Sequence, residues 1–238
     1  PETGLGAVRL AEALSTQGSV ELANGVLIKA WTDLRLTEDG KTAMLDGFSD
    51  VLAPHHVTRV DNLLWRWRTD EARAMLPLLD VDQAALAKAR IAYITNSGVA
   101  EASTDVPVAL RGNAGLAYDR YNWLANQGNR TQAITLLKAR STSAETLQEP
   151  FRWSGWRRAL ARWEMREGRI DSAYTLASEH YLTDGSAYAD LEWLSGYLAL
   201  RYMDDPARAL RHFENMSAAV DSPISLGRAG YWLGRTYA

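Results

Sequence analysis

The sequence contains no cysteine and only 3 phenylalanines. Without thiols, neither a disulfide nor a thiolate metal site can form, and the redox compartment stays open between cytosol and cell envelope. No apolar run comes near the ~20 residues that a membrane span requires. No signal-like segment opens the chain, which begins at Pro1 rather than Met, so a processed or excised piece is expected. A block of one charge sign is also missing. The 26 basic residues are scattered among 29 acidic ones for a net charge of −3, which excludes the basic footprint of a nucleic-acid partner. Runs of β-branched residues are scarce, so strands are not expected.

What is present is rich in helix formers, above all Ala, Leu and Arg, with 9 Trp and 10 Tyr supplying the large rings. One pattern appears twice between Leu116 and Ser178. Trp123, Gly128, Ala133 and Leu136 recur forty residues later as Trp163, Gly168, Ala173 and Leu176. An aromatic closing one helix, a glycine turning the backbone through a left-handed conformation and a small Ala where the next helix crosses closely describe one helical hairpin. Repetition at that period predicts an all-α fold, a right-handed superhelix of helical hairpins (an α-solenoid, TPR-like). Trp123 and Trp163 are expected in equivalent buried sites. Residues 1–112 form the N-terminal part of this superhelix and 113–238 its C-terminal part.

Along the chain, Leu5 to Arg35 reads as two helices broken near Gly18, and Thr37 caps a third that reaches about Leu52. Pro54 starts the next, with Val57, Val60, Leu63, Leu64 and Trp67 on its inner face. Asp70 is the expected cap of the following helix, and Asp82 the expected start of one that ends before Gly98. Residues 99–113 support only a short helix and a loop, because Pro107 and Gly112 interrupt the periodicity. Further helices are predicted over 115–126, 130–139, 150–166, 170–181, 187–202, 206–216 and from 223 onward. Asp205-Pro206 and Ser222-Pro223 each place a capping side chain before a proline at the first helical position. The last helix has no partner within the sequence, so the natural protein is expected to continue.

Motifs that carry chemistry are few. Gly47-Phe48-Ser49-Asp50-Val51 lacks the closing glycine of a nucleophile elbow and lies in a helical pattern. His55-His56, His180 and His212 do not have the spacing of a metal-ligand set and read as surface or capping residues. Gly227, Gly230 and Gly234 follow no strand and precede no Lys, so they read as small residues letting two helices approach rather than as a phosphate loop. No catalytic, cofactor-binding or metal residue is assigned, and no cofactor is expected. The one tentative site lies on the helix Phe151–Glu167, where Trp153, Trp156, Leu160 and Trp163 fall on one side and Arg158, Arg162 and Arg166 form a stripe nearly opposite. Such a stripe is either a solvated face or an anion-facing strip, since guanidinium forks suit carboxylates.

Several stretches carry a family resemblance. They are Asp190-Leu191-Glu192-Trp193-Leu194-Ser195-Gly196-Tyr197-Leu198-Ala199-Leu200-Arg201, then His212-Phe213, then Ser222 to Arg235, together with Arg59–Trp65, Ala87–Ala92 and Gly115–Arg120. These resemble the superhelical region of soluble lytic murein transglycosylases, particularly of the α-proteobacterial type. The resemblance implies a periplasmic parent enzyme that cleaves the MurNAc–GlcNAc β-1,4 bond of peptidoglycan to a 1,6-anhydro product. Its single catalytic Glu would sit in a lysozyme-like domain following the superhelix. The family's Glu-Ser pair and Gly-Leu-Met-Gln are matched nowhere, since the sequence has neither a Glu-Ser nor a Met-Gln dipeptide. The catalytic domain is therefore absent here, and the expected partner is the peptidoglycan glycan strand, reached through the parent enzyme. The alternative is a free-standing TPR-like scaffold for protein partners, because Tyr231-Trp232-Leu233-Gly234 with Tyr237 resembles tetratricopeptide first helices.

Overall fold

A computed structural model describes residues 1–238 and is all-helical, with no strand. In chain order the α-helices are α1 (Gly4–Thr16), α2 (Val20–Asp33), α3 (Glu38–Leu52), α4 (His56–Trp65), α5 (Thr69–Met75), α6 (Val81–Thr95), α7 (Val99–Thr104) and α8 (Ala114–Asn126). They continue as α9 (Arg130–Arg140), α10 (Ala144–Leu147), α11 (Pro150–Arg166), α12 (Ile170–Ser178), α13 (Gly185–Tyr202), α14 (Pro206–Ala218) and α15 (Pro223–Tyr237). The chain divides into two compact units, Pro1–Leu116 and Ala117–Ala238. Inside each, a helix packs on the next and often on the next but one, as α2 does on α3 and α4, and α11 on α12 and α13.

One turn joins helices in both units. In the second unit Gly128 and Gly168 adopt φ of 78° and 73°. The following N–H groups reach back to the preceding helix, Asn129 to the Leu124 carbonyl at 2.9 Å and Arg169 to the Glu164 carbonyl at 3.0 Å. These bonds satisfy carbonyls that the helix end would otherwise leave open. The first unit repeats the turn at Gly18 (φ 78°), with Ser19 bonded to Leu14 at 2.9 Å, and at Trp67 (φ 57°), with Arg68 bonded to Leu63 at 2.9 Å. A wider version occurs at Asp204 (φ 52°), where Asp205 reaches Ala199 at 3.0 Å. Five residues beyond each left-handed residue stands an alanine, Ala23, Ala72, Ala133, Ala173 or Ala209, and all five are 1 % exposed or less. A methyl at that place lets the second helix of each hairpin close on the first.

The core of the first unit gathers Ala7, Leu27, Trp31, Met44, Leu52 and Leu64 with their neighbours. Its α1 and α3 cross at Gly4, where a Cβ would lie 3.1 Å from the Gly40 Cα. In the second unit Trp153 is fully buried, stacks on Tyr121 with ring centroids 5.0 Å apart, and donates its indole N–H to the Leu147 carbonyl at 3.0 Å. That carbonyl belongs to α10, a single turn closed by a Ser143–Thr146 capping box that the periodicity does not announce.

Several expectations need correction. Trp67 is not on the inner face of α4 but is half exposed at the turn, and Val57 is exposed as well. Trp123 and Trp163 are each only partly buried, because they lie beside the turns rather than under the crossing helix. The Trp163 ring is instead flanked by the guanidiniums of Arg169 at 4.6 Å and Arg130 at 5.3 Å. The helix after Trp67 starts at Thr69, so Asp70 sits in its first turn and pairs with Arg73 at 2.7 Å. Asp80 rather than Asp82 caps α6, accepting from the Gln83 N–H at 2.8 Å. A Cβ on Gly227, Gly230 or Gly234 would meet nothing, so these do not mark a close approach. That role belongs to Gly196, where a Cβ would stand 2.7 Å from the Phe213 ring.

Candidate functional site

The arginines of α11 do not act as one stripe. Arg162 donates from Nη2 to both carboxylate oxygens of Asp190 on α13, at 3.0 and 3.1 Å, and Arg158 Nη1 lies 3.6 Å from the same group. Arg166, a turn further along, is exposed. Helical spacing places Arg158 and Arg162 on adjacent turns of one face, which is why a single carboxylate on the neighbouring helix can meet both. From α15, Arg228 lays its guanidinium over the Trp193 ring at 3.9 Å. Burial pulls the Arg228 pKa down, nearby Asp190 opposes that, and Arg162 adds to it. Asp190 and Arg228 both line a cavity of about 390 Å³ between α13, α14 and α15. Ser186, Ser225, Met216 and Val220 line it with them.

A second cluster lies in the same unit around Glu192, which is buried on α13. His180 Nε2 donates to one carboxylate oxygen at 3.0 Å, and His212 Nδ1 and Asn215 Nδ2 donate to the other at 2.7 and 3.2 Å. The Leu182 N–H donates to His180 Nδ1 at 2.9 Å, which fixes the ring proton on Nε2. The Tyr174 hydroxyl closes the network on His212 Nε2 at 2.8 Å. Burial alone would raise the Glu192 pKa, but the hydrogen bonds from His180, His212 and Asn215 bring it down to about 2. Both nitrogens of both rings are engaged, so the histidines are neither surface residues nor free to bind a metal. They and Glu192 clip the 179–184 loop, α13 and α14 together.

Each unit also buries a guanidinium against a helix end, and in the second it is Arg157, 1 % exposed, which donates to the Leu176 carbonyl at 3.0 Å. In the first, Arg59, 2 % exposed, donates to the carbonyls of Trp31 and Leu34 at the C-terminal end of α2 and lies over the Trp31 ring at 4.6 Å. His56 packs against the same ring, and its pKa is lowered by burial first and by the charge of Arg59 next. Gly47 to Val51 lie within α3, where no strand-to-helix elbow exists. Both clusters escape sequence reading, because Glu192 is 12 residues from His180 and 20 from His212. The one available signal is a glutamate in the middle of the otherwise apolar run Leu191–Leu194.

No protein-family model, no curated protein and no solved structure matches the chain. No helix is long and apolar enough to cross a membrane. The reading of function therefore rests on the chain's own residues.

Proposed function

We propose that the hairpins stack as a right-handed α-solenoid and that the chain is the non-catalytic superhelical region of a periplasmic soluble lytic murein transglycosylase. It would hold peptidoglycan for a catalytic domain that this sequence does not contain. The observation that carries the solenoid is the hairpin turn occurring five times, each with its buried alanine, together with packing between successive helices. The family assignment draws on the residues quoted above, of which Asp190–Arg201 lie within α13 and Pro223–Arg235 within α15.

The non-catalytic reading draws on the sequence, which has neither the Glu-Ser nor the Met-Gln dipeptide of the family's catalytic signature. A second reading, a free-standing TPR-like scaffold for protein partners, draws on α14. There Ala209 and Phe213 reproduce the Ala-x-x-x-Phe spacing of tetratricopeptide second helices.

The test is incubation of the purified chain with sacculi, measuring both the fraction retained and the soluble products. Retention without anhydro-muropeptide release is expected. Release above a buffer control would overturn the non-catalytic reading, and no retention would favour the scaffold.

A further inference from the structure

We propose that the cavity between α13, α14 and α15 binds the carboxylate of a short peptide ending in a small apolar residue, with Arg228 as its main partner. The inference stands on the cavity itself and does not require the peptidoglycan reading. At about 390 Å³ the cavity falls at the small end of ligand pockets, which run from about 300 to 1,000 Å³.

Its charge selects the ligand. Asp190 is held by two guanidiniums, Arg162 at 3.0 Å and Arg158 at 3.6 Å. Arg228 makes no ion pair and is positioned by its stacking on Trp193 at 3.9 Å. Asp221, exposed, is the other acid of the lining. Arg228 is the one basic residue of the lining, and Arg162 and Arg158 offset Asp190 from outside it, so the lining offers a single cation to an anionic ligand. A planar guanidinium fixed on an aromatic face presents its free edge as a fork, the geometry that a carboxylate fills with two parallel hydrogen bonds.

The rest of the lining sets what the carboxylate is attached to. Ala189, Met216, Ala219 and Val220 offer an apolar wall that accepts a methyl group. The Ser186 and Ser225 hydroxyls can bond a peptide amide. Gly185 and Ser186 are the first residues of α13, so the positive end of that helix adds to the attraction.

The experiment is a titration of the ¹⁵N-labelled chain, followed by chemical shift, with N-acetyl-alanyl-alanine, with its C-terminal amide and with inorganic phosphate. Saturable shifts at the Gly185 and Ser186 amides, the Arg228 Nε–H and the Trp193 indole are expected with the free carboxylate only. Arg228 is exposed, so Arg228→Gln should keep the fold while weakening binding about tenfold or more, as loss of a bidentate charged pair implies. Equal binding of the amide, an unchanged affinity in Arg228→Gln, or shifts confined to other residues would each overturn the proposal. Phosphate binding as tightly as the peptide would also overturn it, by showing an unselective anion site. Because the probe is a soluble peptide, its outcome is separate from that of the sacculus experiment.

Discussion

The two compact units share a hairpin turn and a buried guanidinium, Arg59 in the first and Arg157 in the second, and the second adds a buried carboxylate network on Glu192. The first holds a guanidinium, Arg59, which donates to the open carbonyls at the end of α2. The second holds a carboxylate, Glu192, which accepts from His180, His212 and Asn215. In both, a charge is kept in the interior by hydrogen bonds rather than by a formal counter-ion in direct contact. Burial lowers the Arg59 pKa, which remains at about 10, and the Glu192 pKa falls to about 2, so each group stays ionised at neutral pH. The common turn therefore builds the hairpins, a buried guanidinium recurs in both units, and the Glu192 network is what the second adds.

Removing the buried charges should have the largest effect. Glu192→Gln leaves at least one imidazole N–H facing a weaker or unsuitable acceptor and should cost about 3 kcal/mol. Arg59→Met, which strands the Trp31 and Leu34 carbonyls, should cost about 2 kcal/mol. Equilibrium denaturation gives both values. Hydrogen exchange should place the loosening in Ala117–Ala238 for the first variant and in Pro1–Leu116 for the second. Loosening of both units by either change would contradict the separation drawn between them.

The turns separate the hairpins by sequence rather than by unit. At Gly168 no heavy atom lies within 4 Å of a would-be Cβ, so Gly168→Ala pays only left-handed backbone strain, about 1 kcal/mol. Trp67 already bears that strain with its ring half exposed, so Trp67→Gly should be close to neutral or stabilise by up to about 1 kcal/mol. Melting temperatures shifting the same way for both variants would break the equivalence of the two turns.

These turns also explain what was legible in the sequence. The hairpins closed by Gly18, Gly128 and Gly168 announce themselves, because glycine at a left-handed position is a local signal. The Asp205 and Ser222 caps are equally local and form as read, accepting from the Arg208 N–H at 2.8 Å and the Ser225 N–H at 3.2 Å. The turn at Asp204 carries no glycine but is legible from the cap Asp205-Pro206 that follows it, whereas the turn at Trp67 stays hidden, because Trp67 fits the apolar stripe of α4. The buried alanine five residues later was visible in all five, but alanine is too common in helices to mark a site alone. Arg158, Arg162 and Arg166 have the right spacing for a stripe. Only packing against α13 shows that Asp190 takes the first two and leaves the third in solvent.

A further difference between the units is one of pH. His56 has its pKa lowered below 6.5, so the unfolded chain binds the extra proton more readily, and the first unit should lose stability as pH falls from about 6.5. Glu192, lowered to about 2, contributes stability that is complete above about 4.5 and lost only as pH falls from there toward 2. Hydrogen exchange across an acid series should therefore show the first unit loosening before the second. The reverse order would mean that other groups control the acid response.

The central claim is that five hairpins share one device, an alanine buried where the second helix closes, whatever residue makes the turn. It is tested most directly by Ala→Leu at Ala23, Ala72, Ala133, Ala173 and Ala209, one at a time, with stability measured by denaturant titration. Each extra side chain must force apart the same crossing, so all five should lose about 1–3 kcal/mol. Losses confined to Ala23, Ala133 and Ala173, with Ala72 and Ala209 changing by less than about 0.5 kcal/mol as a surface site would, would contradict it.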